Sequence, residues 1–366
     1  MNKEIERVND LNFVLYIVFT TGQCNLRCDY CGGSFDPGVV PWGVKYPLEA
    51  LVSLISEDPD PVVAFYGGEP LLNARFIREV MDSVEARFVI QTNGLLVRQL
   101  EPEYWRRFDA VLLSIDGRKE VNDRHRGKGV HDAVLAAAGW LREVGYKGDL
   151  IARMTVTEDT DVYEDVRYLL NLGLFDHVHW QLDAVWSDRW RDFEGWARGS
   201  YEPGITALAD LWLREMEGGR ILGIVPFLGV LRVDLTGVPN ESPPCGAGRS
   251  AVAISTDGRI LACPIAVYSE WAVMGDVREG IGEGPRIGEP CVSCPYFRYC
   301  GGRCLFAYFE RYWGEMGFEL LCELTKHLID EVRSRLPRIL ELIELGIVRR
   351  EALIYPKFNN TTEIIP

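Results

Sequence analysis

Three thiols are crowded into the stretch Cys24-Asn25-Leu26-Arg27-Cys28-Asp29-Tyr30-Cys31, at the spacing C-x3-C-x2-C with an aromatic residue before the last. A short loop of this kind aims three thiolates at one point. Three thiolates hold three irons of a cubane [4Fe–4S] cluster and leave the fourth iron open. An open iron can chelate a small molecule, which turns an electron-transfer centre into a reaction centre. The alternative is a zinc knuckle. Structural zinc asks for four ligands, usually in paired C-x2-C units, and no nearby Cys or His completes this set.

A second field follows far downstream: Cys245, Cys263, Cys291, Cys294, Cys300, Cys304 and Cys322. Cys245 precedes Gly258-x4-Cys263, then C-x2-C-x5-C-x3-C, then the final cysteine. Ten cysteines without a secretory signal do not read as five disulfides. Two zinc sites are the bland reading of these seven.

The elements that position these residues alternate. Asn12 to Thr20 reads as a buried strand, with the first cysteine loop at its C-terminal end, where a β/α barrel presents its chemistry. Further strands are expected at Val62–Tyr66, Phe88–Gln91, Ala110–Ile115, Leu150–Thr157 and His177–Leu182. Helices are expected at Leu48–Ser56 and near 71–86, 131–144, 160–171 and 203–217. Strand and helix taking turns predicts a parallel sheet. Gly67-Gly68-Glu69-Pro70 ends the second strand: two glycines permit close backbone approach, Glu69 adds an acceptor, and Pro70 can start a helix. The third strand runs into Thr92-Asn93-Gly94, and the fourth into Asp116-Gly117.

Cys24, Cys28 and Cys31, with Tyr30 at the usual aromatic position, match the motif of radical S-adenosylmethionine enzymes, which the chain resembles from about Leu11 to Cys322. The resemblance implies a partial (β/α)6 barrel, open at one side. It implies that the open iron binds S-adenosylmethionine by its amino and carboxylate groups. One electron then cleaves the sulfonium to methionine and a 5′-deoxyadenosyl radical that takes hydrogen from substrate. Gly67, Gly68, Glu69 and Pro70 match the element that binds the methionyl amino group, and Asn93 joins them in that cofactor site.

Ser114-Ile115-Asp116-Gly117, with Asn122-Asp123 and Arg126-Gly127, looks like S-[IL]-D-G…H-D-x-x-R-G of sulfatase maturases and peptide-modifying members. The family's histidine is Asn122 here. Ser114 and Asp116 fall where ribose hydroxyls would lie, and Asp116 has a second reading as a turn residue. Arg126 and Arg153 are candidates for a methionyl or substrate carboxylate, with a surface ion pair as the alternative.

The downstream cysteines resemble the SPASM domain of radical enzymes that mature peptides and proteins. The resemblance implies two auxiliary [4Fe–4S] clusters, three clusters in all. Cys291, Cys294, Cys300 and Cys322 would close one. Cys245, Cys263 and Cys304 would hold the other, with one iron lacking a thiolate. Sulfatase maturases carry a catalytic Asp directly after the position of Cys263, and this chain has Pro264. Peptide or protein side-chain oxidation or crosslinking is therefore the leading expectation. Formylglycine formation of the sulfatase-maturase type, modification of a small cofactor precursor, and a non-catalytic zinc scaffold follow it.

The expected division is 1–225 for the barrel, 226–322 for the cluster module, and 323–366 for a C-terminal helix and tail. A shift to Gly, Pro and short apolar runs at Pro226–Pro244 marks the boundary, and Leu324–Ile347 reads as one amphipathic helix. Between His177 and Tyr201, aromatics mix with charges, including Trp180, Trp186, Asp188, Arg189, Trp190 and Trp196. They either wall a peptide-binding cavity or cover the barrel's open side. The 366 residues carry a net charge of −15, which argues against nucleic acid as the main partner. No stretch reads as a membrane span, so a cytoplasmic location is expected. The expected partners are a peptide or protein substrate and an electron donor such as ferredoxin or flavodoxin. A separate leader-recognition protein is a further possible partner, because the residues before Cys24 leave no room for such a domain.

Overall fold

The structure, a computed structural model, describes residues 15–183 and 190–355. Its first half alternates as expected: β1 (Leu15–Thr21), α1 (Leu48–Ser56), β2 (Val62–Gly67), α2 (Ala74–Ser83), β3 (Arg87–Thr92), β4 (Phe108–Ser114), α3 (Lys119–Arg126), α4 (Val130–Glu143), β5 (Asp149–Val156), α5 (Val162–Asn171) and β6 (His177–Leu182). Residues 12–14 of the expected first strand lie outside the described residues. Then come α6 (Glu202–Glu217), α7 (Val225–Thr236), β7 (Ala251–Ile254), β8 (Arg259–Leu261), β9 (Val273–Asp276), β10 (Gly280–Ile281), α8 (Gly314–Ser334) and α9 (Leu336–Glu344). The strand order is β10-β9-β8-β7-β1-β2-β3-β4-β5-β6, and the sheet does not close. The parallel α/β sheet expected from the alternation is observed, and it is open, as the resemblance implies.

The described residues pack as two compact units, neither of them contiguous in sequence. Of the described residues, the first draws on 15–115, 122–151 and 245–286, the second on 116–121, 152–183, 190–244 and 287–355. In the first, β1 is buried at every position. It pairs in parallel with β2, from Leu15 opposite Val62 to Thr21 opposite Gly67, and with β7, from Leu15 opposite Ala251 to Val18 opposite Ile254. A strand hidden on both faces needs such an unbroken apolar run. Val63, Phe65, Val89, Ile90, Val111 and Leu113 are fully buried beside it, each side chain contributing roughly 1.5–3 kcal/mol.

In the second unit, α8 packs on α6 and α7. The segment that composition marks as a boundary is, at Val225–Thr236, a helix buried continuously from Val225 to Val233. A helix apolar all round has no polar face and so no amphipathic signal. Pro226 sits at its start, where a missing N–H costs nothing, and Gly237 at φ +74° ends it. Arg232 on α7 donates from Nη2 to Asn240 Oδ1 at 2.8 Å, and Asn240 N–H donates to Arg298 O at 2.8 Å. This ties α7 to the short helix Phe297–Cys300, which ends in one of the module's cysteines.

The single helix expected over Leu324–Ile347 is a correction: two helices meet at Arg335. Pro337 has no N–H for the carbonyl of Arg333, and its ring would clash there, so α8 stops and α9 begins with the proline in its first turn. Lys119–Arg126 was not expected as a helix. Its only apolar residue is Val121, so it carries no periodicity to read.

Candidate active site

The first cysteine loop leaves β1 at Thr21 and is held by its own backbone and by the tips of β2 and β3. Cys24 N–H donates to Ser34 Oγ at 2.9 Å, and Phe35 N–H to Gly22 O at 2.8 Å. Glu69 N–H donates to Gln23 O at 2.7 Å, and Asn93 Nδ2 to Asn25 Oδ1 at 2.7 Å. Cys28 is buried, Cys24 half-buried and Cys31 exposed. Burial pushes the Cys24 thiol up, with Glu69 and Cys31 adding to the effect against the N–H groups of Leu26 and Asn25. A thiol so placed is released as thiolate when a metal takes its proton's place. Hydrogen bonds to Ser34, Gly22, Gln23 and Asn25 thus fix the course of the loop that carries the three thiols.

The glycines after β2 act on the chain itself. A Cβ on Gly68 would meet Gln23 O at 2.2 Å, and one on Gly67, at φ +141°, would meet Thr21 O at 2.2 Å. They let the β2 turn lie directly on the cysteine loop. Gly68→Ala is accordingly expected to push that loop aside, costing about 1–3 kcal/mol and about four irons per reconstituted chain. Iron retained at the wild-type level would show that the loop tolerates the displacement.

Glu69 is 1% exposed. Its carboxylate accepts from Leu71 N–H at 3.0 Å, Thr92 Oγ1 at 2.7 Å and Asn93 N–H at 2.8 Å. Burial nevertheless raises its pKa from 4.5 to about 7, outweighing those three donors. Pro70 starts a short 3-10 turn, and its carbonyl accepts from Thr20 Oγ1 at 3.0 Å. Glu69 thus joins the tips of β2 and β3, and Asn93 extends that link to the loop between Cys24 and Cys28.

On another side of the loop lies the end of α3. His125 Nδ1 is 3.0 Å from Asp29, whose N–H donates to His125 O at 3.2 Å. The Tyr30 ring lies 6.0 Å from the His125 ring, and Arg126 sits over Tyr30 at 5.4 Å. Ser114, at the end of β4, and Arg126 are both 8% exposed. Four residues that bind this site together escaped the sequence reading: Asn25, Asp29, Thr92 and His125. The family histidine position is Asn122, fully buried, and the imidazole stands one turn later. Only the proximity of Asp29 and Asn25 to the motif could have drawn attention to them.

In the second unit, Asp116 is fully buried and accepts from Thr155 N–H at 2.8 Å. Arg118 bonds Asp165 at 2.8 Å and fixes the turn at Gly117. Arg153 donates to Met154 O at 2.6 Å and to Gln181 Oε1. His179, fully enclosed, is held well below its ordinary pKa by burial first and by Arg153 second. Trp190, Phe193 and Trp196 pack on one another and on Trp313, while Trp186, Asp188 and Arg189 lie outside the described residues.

The second cysteine field is divided. Cys245 and Cys263 belong to the first unit, Cys263 buried just after β8, and the other five belong to the second. Cys291, Cys294, Cys300 and Cys322, with Cys304, line one cavity of about 350 Å³. Burial raises the Cys291 and Cys300 thiols to about 11, with the neighbouring thiols adding to the effect. Among the described residues, no three His, Cys, Asp or Glu side chains converge tightly enough for one ion. A cubane spreads its thiolates over separate irons, and thiols ringed around a cavity fit that wider geometry.

Residues 18–173 match the family model described as the Radical SAM superfamily. The chain is similar to a cysteine-type anaerobic sulfatase-maturating enzyme of Clostridium perfringens, 23% identical over 88% of this chain and 96% of that protein. It is also similar to the mycofactocin maturase MftC of Mycolicibacterium smegmatis, 26% identical over 79% and 77%. Among solved structures, native anSMEcpe with bound AdoMet and Cp18Cys peptide shares the fold. Its TM-score is 0.67 at 21% identity, over 91% of this chain and 99% of that one.

Proposed function

We propose that this chain, an enzyme carrying a radical SAM domain, oxidises a peptide or protein side chain by hydrogen abstraction, forming a crosslink, a thioether or another oxidised product. The observation that carries the reading is the three-cysteine loop Cys24–Cys31, hydrogen-bonded to Glu69 and Asn93 at the C-terminal tips of three parallel strands. Cys24, Cys28 and Cys31 would hold a [4Fe–4S] cluster with one open iron. Bound there with S-adenosylmethionine, it supplies a reductively generated 5′-deoxyadenosyl radical. Gly67, Gly68, Glu69, Pro70 and Asn93 would shape the methionyl end of the pocket. Ser114 and Asp116 would serve its ribose, Arg126 and Arg153 a carboxylate, and Tyr30 would close the pocket's aromatic side.

A peptide or protein substrate is supported by the relatives, whose names describe a sulfatase-maturating enzyme and a mycofactocin maturase. Two auxiliary clusters complete the proposal: one on Cys291, Cys294, Cys300 and Cys322, the other on Cys245, Cys263 and Cys304 with one non-thiolate ligand. Pro264 after Cys263 offers no base for a substrate thiol or hydroxyl, which sets formylglycine formation second. The electron would come from a ferredoxin or flavodoxin, and a separate protein would present a leader peptide. Among the described residues no helix is long and apolar enough to cross a membrane, and the cytoplasm is the proposed location.

The test is metal and sulfide analysis after anaerobic reconstitution, with electron paramagnetic resonance before and after S-adenosylmethionine is added. About twelve irons per chain, with a spectrum changed by the ligand, is the expected result. About eight would remove the three-cysteine auxiliary site. Zinc without iron would overturn the radical reading.

A further inference from the structure

Cys300 and Cys304 are joined by Gly301, Gly302 and Arg303, and all three joining residues have positive φ, +54°, +82° and +63°. The glycines have steric reason to be there: a Cβ on Gly301 would meet Ser242 O at 1.8 Å, and one on Gly302 the Ile287 side chain at 2.7 Å. Arg303 has a Cβ and tolerates this backbone poorly, yet it is only 7% exposed. Arg303 lines the cavity of Cys291, Cys294, Cys300, Cys304 and Cys322, and so does Lys326. Lys326 stands one helical turn after Cys322 on α8 and is half-buried. Glu315, Glu319 and Glu323 also line the cavity, but all three are solvent-exposed. Water and salt screen exposed carboxylates far more than a buried guanidinium. Among the described charged residues lining the cavity, Arg303 is the buried one.

We propose that Arg303, assisted by Lys326, raises the reduction potential of the iron–sulfur centre on Cys291, Cys294, Cys300 and Cys322, making it an electron acceptor. The inference rests on the cluster reading above. Four thiolates leave an oxidised cubane with net negative charge, and reduction adds one electron without taking up a proton. A fixed buried cation stabilises the added charge, while hydrogen bonds to the sulfurs and low solvent exposure act in the same site. The strained backbone at Arg303 is what keeps its charge inside the cavity.

The experiment is a dithionite titration with redox mediators, followed by electron paramagnetic resonance, on full-length reconstituted protein carrying Ala at Cys24, Cys28 and Cys31. Only the auxiliary centres then contribute. Arg303→Gln is expected to lower the reduced-to-oxidised ratio at a fixed potential at least tenfold, about 59 mV for a one-electron couple. Arg303→Lys is expected to keep most of the wild-type potential, and Lys326→Gln to show a smaller drop. Should Arg303→Gln fail to hold iron, Arg303→Gly takes its place, since glycine adopts this backbone freely. An unchanged potential in a loaded neutral variant overturns the proposal, as does loss of iron from both neutral variants. Failure of the underlying reading looks different: Cys291→Ala with Cys294→Ala would then remove neither iron nor signal.

Discussion

A chain with Cys24, Cys28 and Cys31 all replaced by alanine is expected to fold, to hold about eight irons in place of about twelve, and to cleave no S-adenosylmethionine. Folding should survive because hydrogen bonds that do not use the thiols hold the loop. The Ser34 hydroxyl, the Gln23 carbonyl and the Asn25 side-chain amide carry its hydrogen bonds. The Sγ of Cys24 accepts from the N–H of Leu26 at 3.4 Å, and a bond of that length to sulfur adds little. Activity should vanish because no other described side chains in the first unit offer three thiols on one loop. The readouts are 5′-deoxyadenosine formation under dithionite and iron content on the same preparation. Cleavage above the uncatalysed background in the triple variant would place the radical centre elsewhere.

Glu69→Ala is expected to have the largest effect on stability of any single change in the site. It leaves Leu71 N–H, Thr92 Oγ1 and Asn93 N–H without their acceptor in a place water does not reach. Each orphaned donor costs about 1–3 kcal/mol, so a loss of roughly 3–9 kcal/mol should appear as a lower urea midpoint. Glu69→Gln keeps one oxygen acceptor and removes the titration, and the comparison with wild type isolates it. The folded carboxyl has a pKa of about 7 against 4.5 for the free group. Between these values the folded protein binds the extra proton, so wild-type stability must fall as pH rises from 4.5 to 7. The expected fall relative to Glu69→Gln is about 3 kcal/mol. A flat difference between the two proteins across that window would mean that Glu69 is ionised throughout.

The cysteine spacing and the six strands were legible because each is a local pattern. β2 and β3 have short apolar cores and β6 alternates polar with apolar residues, and their observed ends lie within one residue of those expected. α7 was illegible for the opposite reason: Val225 to Val233 is buried on every side, so nothing polar marks its period. β7 had no chance from its four residues alone, since its partner β1 lies over 200 residues earlier. The Ser255–Gly258 turn between β7 and β8 was a hairpin signal, but Gly258 was read only as part of a cysteine motif. In the site, Glu69 and Asn93 stood out by their place after a strand. His125 did not, because its partner Asp29 is 96 residues away in sequence.

The parallel pairing of β1 with β7 has a consequence for the chain while it is being made. β1 leaves the ribosome early and finds β2 soon after, but its other edge waits for residues 251–254. At about 5–20 residues per second, that wait lasts roughly ten to fifty seconds. Through it, an apolar strand edge stands open to pairing with other nascent chains, and the three thiols at its end stand open to oxidants. Newborn copies of this protein should therefore depend on a holdase chaperone and a reducing compartment before any iron arrives.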